Sequence, residues 1–414
     1  MSLIRPFKGL RPNKNMAAKV ASPPYDVLNS EEAKEMAKER PESFLHVVKP
    51  EIDLPEGVDH YDDSVYNKAV ENLKKFRDEK VLVLDEKPSL YIYRQQMGDH
   101  IQTGLVACVS VDEYENNLIK KHEFTRKAKE DDRTRHVSDT NCNAGPVFLT
   151  YKACDEIDKL VQKYSSQTAE VDFTADDGIK HTLWPVAAND RIEKFVSSFA
   201  KIPCMYVADG HHRTASGGRV RELRKNSNPN HTGKEEYNFF MAVLFPHNQL
   251  KILDYNRAVK DLNGMTKEDF IANVSEKFDI SAADNGSVSK THDFGMFIDG
   301  SWHKLTAKVG SFNNDHPVEK LDVAILQNNL LSSLLGIDDP RTNNRINFIG
   351  GIRGTKELEK LVNEDGFAVA FSMYPTSIEE LMDIADADEI MPPKSTWFEP
   401  KLRSGLVTHL LSDE

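Results

Sequence analysis

The chain has 414 residues and a formal net charge of −13, with 39% hydrophobic and 29% charged residues. This composition is typical of a soluble globular protein of two or three domains. The acidic balance argues against a general nucleic-acid or membrane-surface binder, because either would need a basic face. No apolar run of about 18 residues predicts a membrane span, and the N-terminus lacks the apolar core of a signal peptide. The four scattered cysteines predict reduced, cytoplasmic thiols and no structural zinc site, with Cys108 and Cys204 buried.

The first half of the chain predicts helices followed by strands. Two prolines force an extended backbone in the loop 22–27, SPPYDV, and a helix with Ser30 as its N-cap should then run to Arg40. Apolar residues at helical spacing predict a second helix around 66–76. Apolar runs of strand length predict β-strands at 81–84, 90–93, 105–109, 146–151 and 239–245.

The second half alternates between helix and strand patterns. The patterns predict helices at 266–278, 321–335 and 376–384, the last with a capping box from Thr376 to Glu379, and strands at 294–298 and 367–373. The proline-rich tail 391–401 is predicted to be neither helix nor strand. The predicted fold class is therefore α+β, with mixed β-sheets and flanking helices. We expect three parts: residues 1–250, a second α/β domain 251–390, and a C-terminal strap 391–414 returning toward the active site.

The most informative segment is 208–215, ADGHHRTA, which follows the apolar run 205–207. A strand that ends at Asp209 and Gly210 should open onto a helix, whose first N–H groups are available to an anion. His211, His212 and Arg213 add side-chain donors, and the aspartate can bind a metal or accept a proton. This set indicates a phosphate site, whereas a solvated strand–turn–helix junction is the alternative.

The segment 121–136, KHEFTRKAKEDDRTRH, is the second candidate. If the segment is helical, His122, Arg126, Lys129 and Arg133 share one face. Glu123 beside cationic groups stays ionised at neutral pH and could act as a general base toward a hydroxyl. A solvated, charged helix is the alternative interpretation.

Two shorter segments carry weaker signals. In 391–401, MPPKSTWFEPK, two prolines stiffen the approach to three residues that could hold an anion: Lys394, Ser395 and Thr396. The alternative is a structural strap anchored by its aromatic residues. Tyr25 and Asp26 could line a pocket, or belong to a tight turn with a buried tyrosine. No Walker-type phosphate loop, strand-following GxGxxG, GxSxG or HExxH motif occurs, so common NTPase machinery is not expected.

Taken in order, the segments 22–27, 121–136, 208–215 and 391–401 resemble a widespread bacterial family long known only as a domain of unknown function. The characterised members of that family are free L-serine kinases, including pyrophosphate-dependent ones. The segment from Asp209 to Arg213 also resembles the phosphate-binding box of the ParB/sulfiredoxin-like superfamily. The resemblance extends from near residue 4 to near residue 404.

The resemblance implies a ParB/sulfiredoxin-like catalytic core in 1–250, followed by a C-terminal α/β portion. It implies phosphoryl transfer from pyrophosphate, ADP or ATP to the hydroxyl of free L-serine, giving O-phospho-L-serine in serine and cysteine metabolism. Mg²⁺ is expected, with Asp209 as its ligand. A cytoplasmic monomer or homodimer is expected, with neither nucleic acid nor membrane as a partner.

The expected site residues follow from the four segments. The catalytic candidates are Glu123, Asp209 and His122. The donor phosphates are expected on Gly210, His211, His212, Arg213, Lys394, Ser395 and Thr396. The substrate is expected on Tyr25, Asp26, Arg126, Arg133 and His136. Two other functions remain open, namely a phosphohydrolase that uses water as the acceptor and a non-catalytic regulator that binds a nucleotide or phosphate.

Overall fold

The computed structural model describes residues 3–412. These residues form two compact units. The first comprises the chain up to Lys121, Thr125–Leu250 and the chain from Pro400 onward, and the second comprises His122–Phe124 and Lys251–Glu399. The chain passes from the second unit to the first after Glu399, within the segment 391–414.

Both units contain α-helices. In chain order they are α1 (Ala17–Val20), α2 (Ser30–Ala37), α3 (Leu45–Val48), α4 (Asp63–Asp78), α5 (Val111–Glu115), α6 (Lys127–Thr140), α7 (Asp155–Ser165), α8 (Asn189–Phe199), α9 (His211–Ser227), α10 (Lys267–Lys277), α11 (Asp322–Leu326), α12 (Thr355–Asn363) and α13 (Ile378–Asp386).

Two predicted N-caps are wrong by one residue, and one predicted helix is divided. Asn29 rather than Ser30 caps α2, through a capping box with Glu32. Ser377 rather than Thr376 caps α13, through a capping box with Glu380. Asn29 lies just before its predicted cap and Ser377 just after its own, and each has the extended backbone that an N-cap requires. The apolar helix predicted at 321–335 is α11 followed by one π-helical segment, Gln327–Ser332.

The strands of the two units range from two to eleven residues in length. They are β1 (Ile4–Arg5), β2 (Gly9–Pro12), β3 (Leu82–Leu84), β4 (Leu90–Met97), β5 (His100–Ser110), β6 (Ile119–Lys120), β7 (Cys142–Asn143), β8 (Val147–Tyr151), β9 (Val171–Thr174), β10 (Lys180–Val186), β11 (Met205–Asp209), β12 (Phe239–Pro246), β13 (Lys251–Leu253), β14 (Tyr255–Val259), β15 (Phe278–Ala283), β16 (Asp293–Ile298), β17 (Ser301–Ala307), β18 (Ile346–Gly350), β19 (Val369–Met373), β20 (Trp397–Glu399) and β21 (Thr408–Leu410).

The first unit is built on a nine-stranded mixed sheet in the order β6-β11-β8-β12-β5-β4-β10-β9, with β1 paired to β5. β6 runs parallel to β11, and β12 runs parallel to β8, whereas the other pairs are antiparallel. Apolar side chains of this sheet and of α7 and α8 form one buried core. A second sheet, β3-β2-β21-β7, takes its third strand from the C-terminal chain.

The second unit contains an antiparallel six-stranded sheet in the order β15-β17-β16-β19-β14-β18. The prediction that the tail forms no strand is wrong, because β20 pairs with β13. The prolines stand outside the three residues of β20, whose N–H groups remain able to pair. The predicted α+β class with mixed sheets is confirmed.

Two further observations concern the lengths of the helices and the state of the cysteines. Within residues 3–412, no helix is long and apolar enough to cross a membrane. All four cysteines are free; Cys108 is buried as predicted, whereas Cys204 is only half-buried.

Candidate phosphate-binding site

The predicted phosphate box is the turn between β11 and α9 in the first unit. β11 ends at Asp209, Gly210 adopts φ +92° and ψ 30°, and α9 begins at His211. Glycine suits this backbone because a side chain would be strained at positive φ. The N-terminal turn of a helix directs N–H groups and the positive end of its dipole toward an anion. The turn therefore has the local geometry of an anion site.

Asp209 is engaged on both carboxylate oxygens. The N–H of Gly210 donates to Oδ1 at 2.8 Å, and Lys401 Nζ donates to Oδ2 at 2.9 Å. Burial raises the pKa of Asp209, but the charges of Lys401 and Arg213 outweigh it and hold that pKa well below its usual range. Because so acidic a carboxylate is a weak base, this environment favours an electrostatic role for Asp209 over proton transfer.

Arg213 connects the box to the loop 22–27. Its Nη1 donates to the carbonyl of Pro146 at 2.7 Å, and its Nη2 donates to the two carboxylate oxygens of Asp26 at 3.0 and 3.2 Å. Burial lowers the pKa of Arg213, but the neighbouring charge of Asp26 raises it above its usual value. The guanidinium is thus cationic and oriented by two separate parts of the chain.

The two histidines of the box differ in environment. His211 is buried, and burial lowers its pKa to about 4, so its imidazole is neutral at pH 7. His212 Nε2 accepts a hydrogen bond of 3.0 Å from the backbone N–H of Arg126. A ring nitrogen that accepts from an N–H is unprotonated, which assigns the proton of neutral His212 to Nδ1. This contact brings Arg126 to the box through its backbone.

Arg133 and Tyr25 pack beside the box. Arg133 pairs with Asp132, at 2.9 Å from Nε to Oδ2, and its Cζ lies 4.1 Å from the centroid of the Tyr25 ring. Arg213 lies over the same ring, at 5.4 Å. Burial raises the pKa of Tyr25 to about 12, so the phenol stays neutral. Between these side chains lies a recess of about 30 Å³, which has room for one or two waters.

His136 lines the same recess but is held by the fold. Its Nε2 donates to the carbonyl of Val47 at 2.8 Å, and burial lowers its pKa to about 4. The predicted shared helical face of His122, Arg126, Lys129 and Arg133 is wrong. α6 begins only at Lys127, after an extended Arg126, so the first two of these residues are outside the helix.

Five of the predicted site residues belong to the second unit: His122, Glu123, Lys394, Ser395 and Thr396. Within that unit, the carbonyl of His122 accepts a 2.8 Å hydrogen bond from the N–H of Met391, which joins the segment 122–124 to the tail. Lys394 has a left-handed backbone with φ +60°. The Ser395 hydroxyl donates to the carbonyl of Pro392 at 2.6 Å, so it stabilises the loop.

Lys401 is a site residue that sequence reasoning missed. It stands at the end of the segment 391–401, which drew attention through its earlier lysine and hydroxyl residues. Its ion pair with Asp209 joins residues 192 positions apart, so no local pattern predicts it. The sequence signal that could have identified Lys401 is its position beside Pro400 in a segment that is already a candidate anion site.

The residues around Asp209 bear on the expected Mg²⁺ site. Among residues 3–412, no group of three or more His, Cys, Asp or Glu side chains is arranged to hold a metal ion. Both oxygens of Asp209 already have partners, and one partner is the ammonium of Lys401. A metal ion at this carboxylate would therefore take the place of Lys401, and Asp209 would supply a single ligand.

The chain belongs to the family described as Protein of unknown function (DUF1015), whose model matches residues 4–324. This confirms the predicted relationship to a family of unknown function.

No curated protein matches the chain. Similar solved structures include a conserved hypothetical protein from Pyrococcus furiosus, with 12% identity over 74% of this chain and 95% of that chain and a TM-score of 0.36. A free serine kinase in complex with AMP has 11% identity over 71% of this chain and 86% of that chain, with a TM-score of 0.36. Truncated SbnI from Staphylococcus aureus has 12% identity over 74% and 87%, with a TM-score of 0.39. Similarity of this degree does not define an activity.

Proposed function

We propose that this member of the DUF1015 family transfers a phosphoryl group from pyrophosphate, ADP or ATP to the hydroxyl of free L-serine, giving O-phospho-L-serine. The observation that carries the proposal is the turn between β11 and α9. It combines a helix N-terminus, the oriented guanidinium of Arg213 and the ammonium of Lys401 around one half-buried aspartate, Asp209. Phosphoryl transfer depends chiefly on such positioned donors and cations around the equatorial oxygens.

In this proposal Arg213 and the first turn of α9 hold the donor phosphates. A guanidinium has five N–H donors, and those of Arg213 that are not given to Pro146 and Asp26 can donate to phosphate oxygens. Neutral His211 and His212 act as hydrogen-bonding groups and add no positive charge. The ion pair with Asp209 holds Lys401 near the turn. There the ammonium can stabilise the negative charge that develops on the leaving oxygen.

Two carboxylates are candidates for the base that accepts the serine hydroxyl proton. Glu123 is the predicted one, and it stands three residues before Arg126 in the chain. Asp26 is the second, because its carboxylate lies 3.0 Å from Arg213 in the box itself. Replacement of the base by its amide should lower turnover by about two orders of magnitude or more, the usual scale of general-base loss.

Mg²⁺ remains part of the proposal as an ion that would arrive on the donor phosphates and keep several of its waters, with few ligands from the protein. When bound, it would neutralise charge on the donor oxygens. Activity should then require Mg²⁺, and EDTA should abolish it.

The test is an incubation of purified protein with serine, Mg²⁺ and one of the three donors, followed by ³¹P NMR. O-phospho-L-serine should form with at least one donor, and its absence with all three would refute the proposal. Asp26→Asn and Glu123→Gln should be compared, because only loss of the base reduces turnover by the expected factor. Phosphate release that does not depend on serine would instead indicate a phosphohydrolase.

A further inference from the structure

A second cation of interest lies at the centre of a wholly buried strand of the second unit. Arg257 is the middle residue of β14, and all five residues of that strand are buried. The arginine itself is 3% exposed. Burying an ion costs several kcal/mol unless it is paired, so a guanidinium at this position demands a partner.

Arg257 has no carboxylate partner among residues 3–412. Arg403, the other fully buried arginine of the described chain, pairs with Asp177. Arg257 instead donates to three backbone carbonyls: those of Tyr255, of Pro393 at 3.4 Å and of Lys394 at 2.9 Å. Burial without a compensating acid lowers its pKa to about 10, so it stays charged at pH 7.

The bonds to Pro393 and Lys394 hold the segment 391–401, for which the sequence leaves open an anion site or a structural strap. Lys394 has a left-handed backbone, which is unfavourable for a side chain other than glycine or asparagine. Its carbonyl accepts from Arg257, and the carbonyl of Ser395 accepts from the Thr376 hydroxyl at 3.0 Å. The loop is thus held from two sides in a conformation that local preference does not favour.

Two cations flank one aromatic ring beside this loop. Lys394 Nζ lies 5.6 Å and Arg257 Cζ lies 5.8 Å from the centroid of Tyr255, and Arg257 Cζ lies 5.0 Å from that of Phe348. The aromatic rings exclude water and lower the local dielectric, which strengthens the attraction of the cations for an anion. A guanidinium has five N–H donors, and Nε of Arg257 donates to no acceptor in the described chain.

We propose that Arg257 and the loop Lys394–Thr396 form a second anion subsite, which lies within the second unit and takes inorganic phosphate or pyrophosphate. The subsite rests on the proposed function for its link to phosphoryl transfer but not for the presence of an anion site. Arg257 supplies the buried charge and sets the backbone of the loop. Lys394 and the backbone N–H groups of the loop complete the contacts.

The test measures binding rather than turnover, with inorganic pyrophosphate as the probe in calorimetry. Arg257→Met keeps the length of the side chain and removes its charge, so affinity should fall about tenfold or more, the scale of a lost charge-assisted hydrogen bond. Arg257→Lys keeps the charge without the fork and should give an intermediate affinity. Arg345→Gln is the matched control, because this arginine of the same unit pairs with Asp261 and should leave affinity unchanged.

A structural role alone predicts a different pattern. Arg257→Met would then lower the unfolding temperature, but pyrophosphate would raise that temperature by the same amount in wild type and variant. That result, or wild-type affinity in the folded Arg257→Met protein, would overturn the proposal. If Arg257→Met does not fold, wild-type affinity in Arg257→Lys overturns it and a reduced affinity supports it. Pyrophosphate binding that depends on Arg257 without formation of O-phosphoserine would refute the kinase and retain the subsite.

Discussion

Acid should destabilise the first unit through two buried histidines, His136 and His181. Their exposed fractions are 3% and 0%. Burial, with the nearby charges of Arg133 and Arg403 respectively, lowers their pKa values to about 4 and about 3. His136 donates to Val47, and His181 lies between the hydroxyl of Tyr93 at 2.8 Å and Nε of Arg403 at 3.1 Å. Both imidazoles are therefore neutral in the folded unit.

Unfolding returns both groups to a pKa of about 6.5. Between the folded and unfolded values the unfolded chain binds more protons, so the folded state loses stability as pH falls through 6.5. From pH 7 to pH 5, each histidine costs about 1.8 kcal/mol, and the two together cost about 3.6 kcal/mol. That loss is a large share of a typical stability of about 5–15 kcal/mol.

Urea unfolding at pH 7 and pH 5 measures this loss, with hydrogen exchange of peptides from β4 and β10 as the readout for the first unit. His136→Gln keeps a donor for the Val47 carbonyl and should remove the share of that histidine, about 1.8 kcal/mol, while the similar share of buried His211 stays in both proteins. His60→Gln, at a side chain that is 63% exposed, is the control and should behave as wild type. A pH dependence equal in wild type and His136→Gln would refute the reasoning.

Three further predictions concern single side chains. Burial raises the pKa of Asp322 in the second unit to about 7, so the unit loses stability as pH rises from about 4 to 7. Asp322→Asn should stabilise that unit by about 2.5 kcal/mol more at pH 8 than at pH 5 in urea titrations. Gly210→Ala forces a side chain into φ +92° and should cost about 1–2 kcal/mol of unfolding free energy. Gly218→Ala, on α9, places its Cβ 3.9 Å from Oε1 of Glu115, an ordinary contact, and should be neutral or stabilising. Lys401→Met removes the ammonium 2.9 Å from Asp209, so the pKa of that carboxyl should rise toward its usual value in a ¹³C NMR titration. An unchanged pKa would show that Lys401 does not stabilise the carboxylate.

Local patterns along the chain were sufficient for the elements around the box. The apolar run 205–207, the glycine and the following helix are all present, because each depends on residues within one turn of the next. The exact first residues of helices α2 and α13 did not follow from local patterns. Asn29 and Ser30 are both good caps, and so are Thr376 and Ser377, so composition alone does not select between neighbours.

The start of α6 shows where local reasoning fails. The polar segment 121–136 has a helical pattern of charges, yet its residues before Lys127 are not helical, and the carbonyl of His122 accepts from the N–H of Met391 in the second unit. A tertiary hydrogen bond replaced the helical one for that part of the segment. Likewise Trp397–Glu399 forms a strand because Lys251–Leu253 offers it a partner.

By itself the sequence determined the α+β class, the family and the strand–turn–helix geometry at Gly210, since these follow from periodicity, motif order and the backbone freedom of one residue. Only the tertiary structure decided which charges meet. Arg213 with Asp26, Asp209 with Lys401 and Arg257 with the carbonyl of Lys394 each join residues more than 130 positions apart. Such pairs depend on sheet order and chain return, and no short pattern in the sequence encodes either.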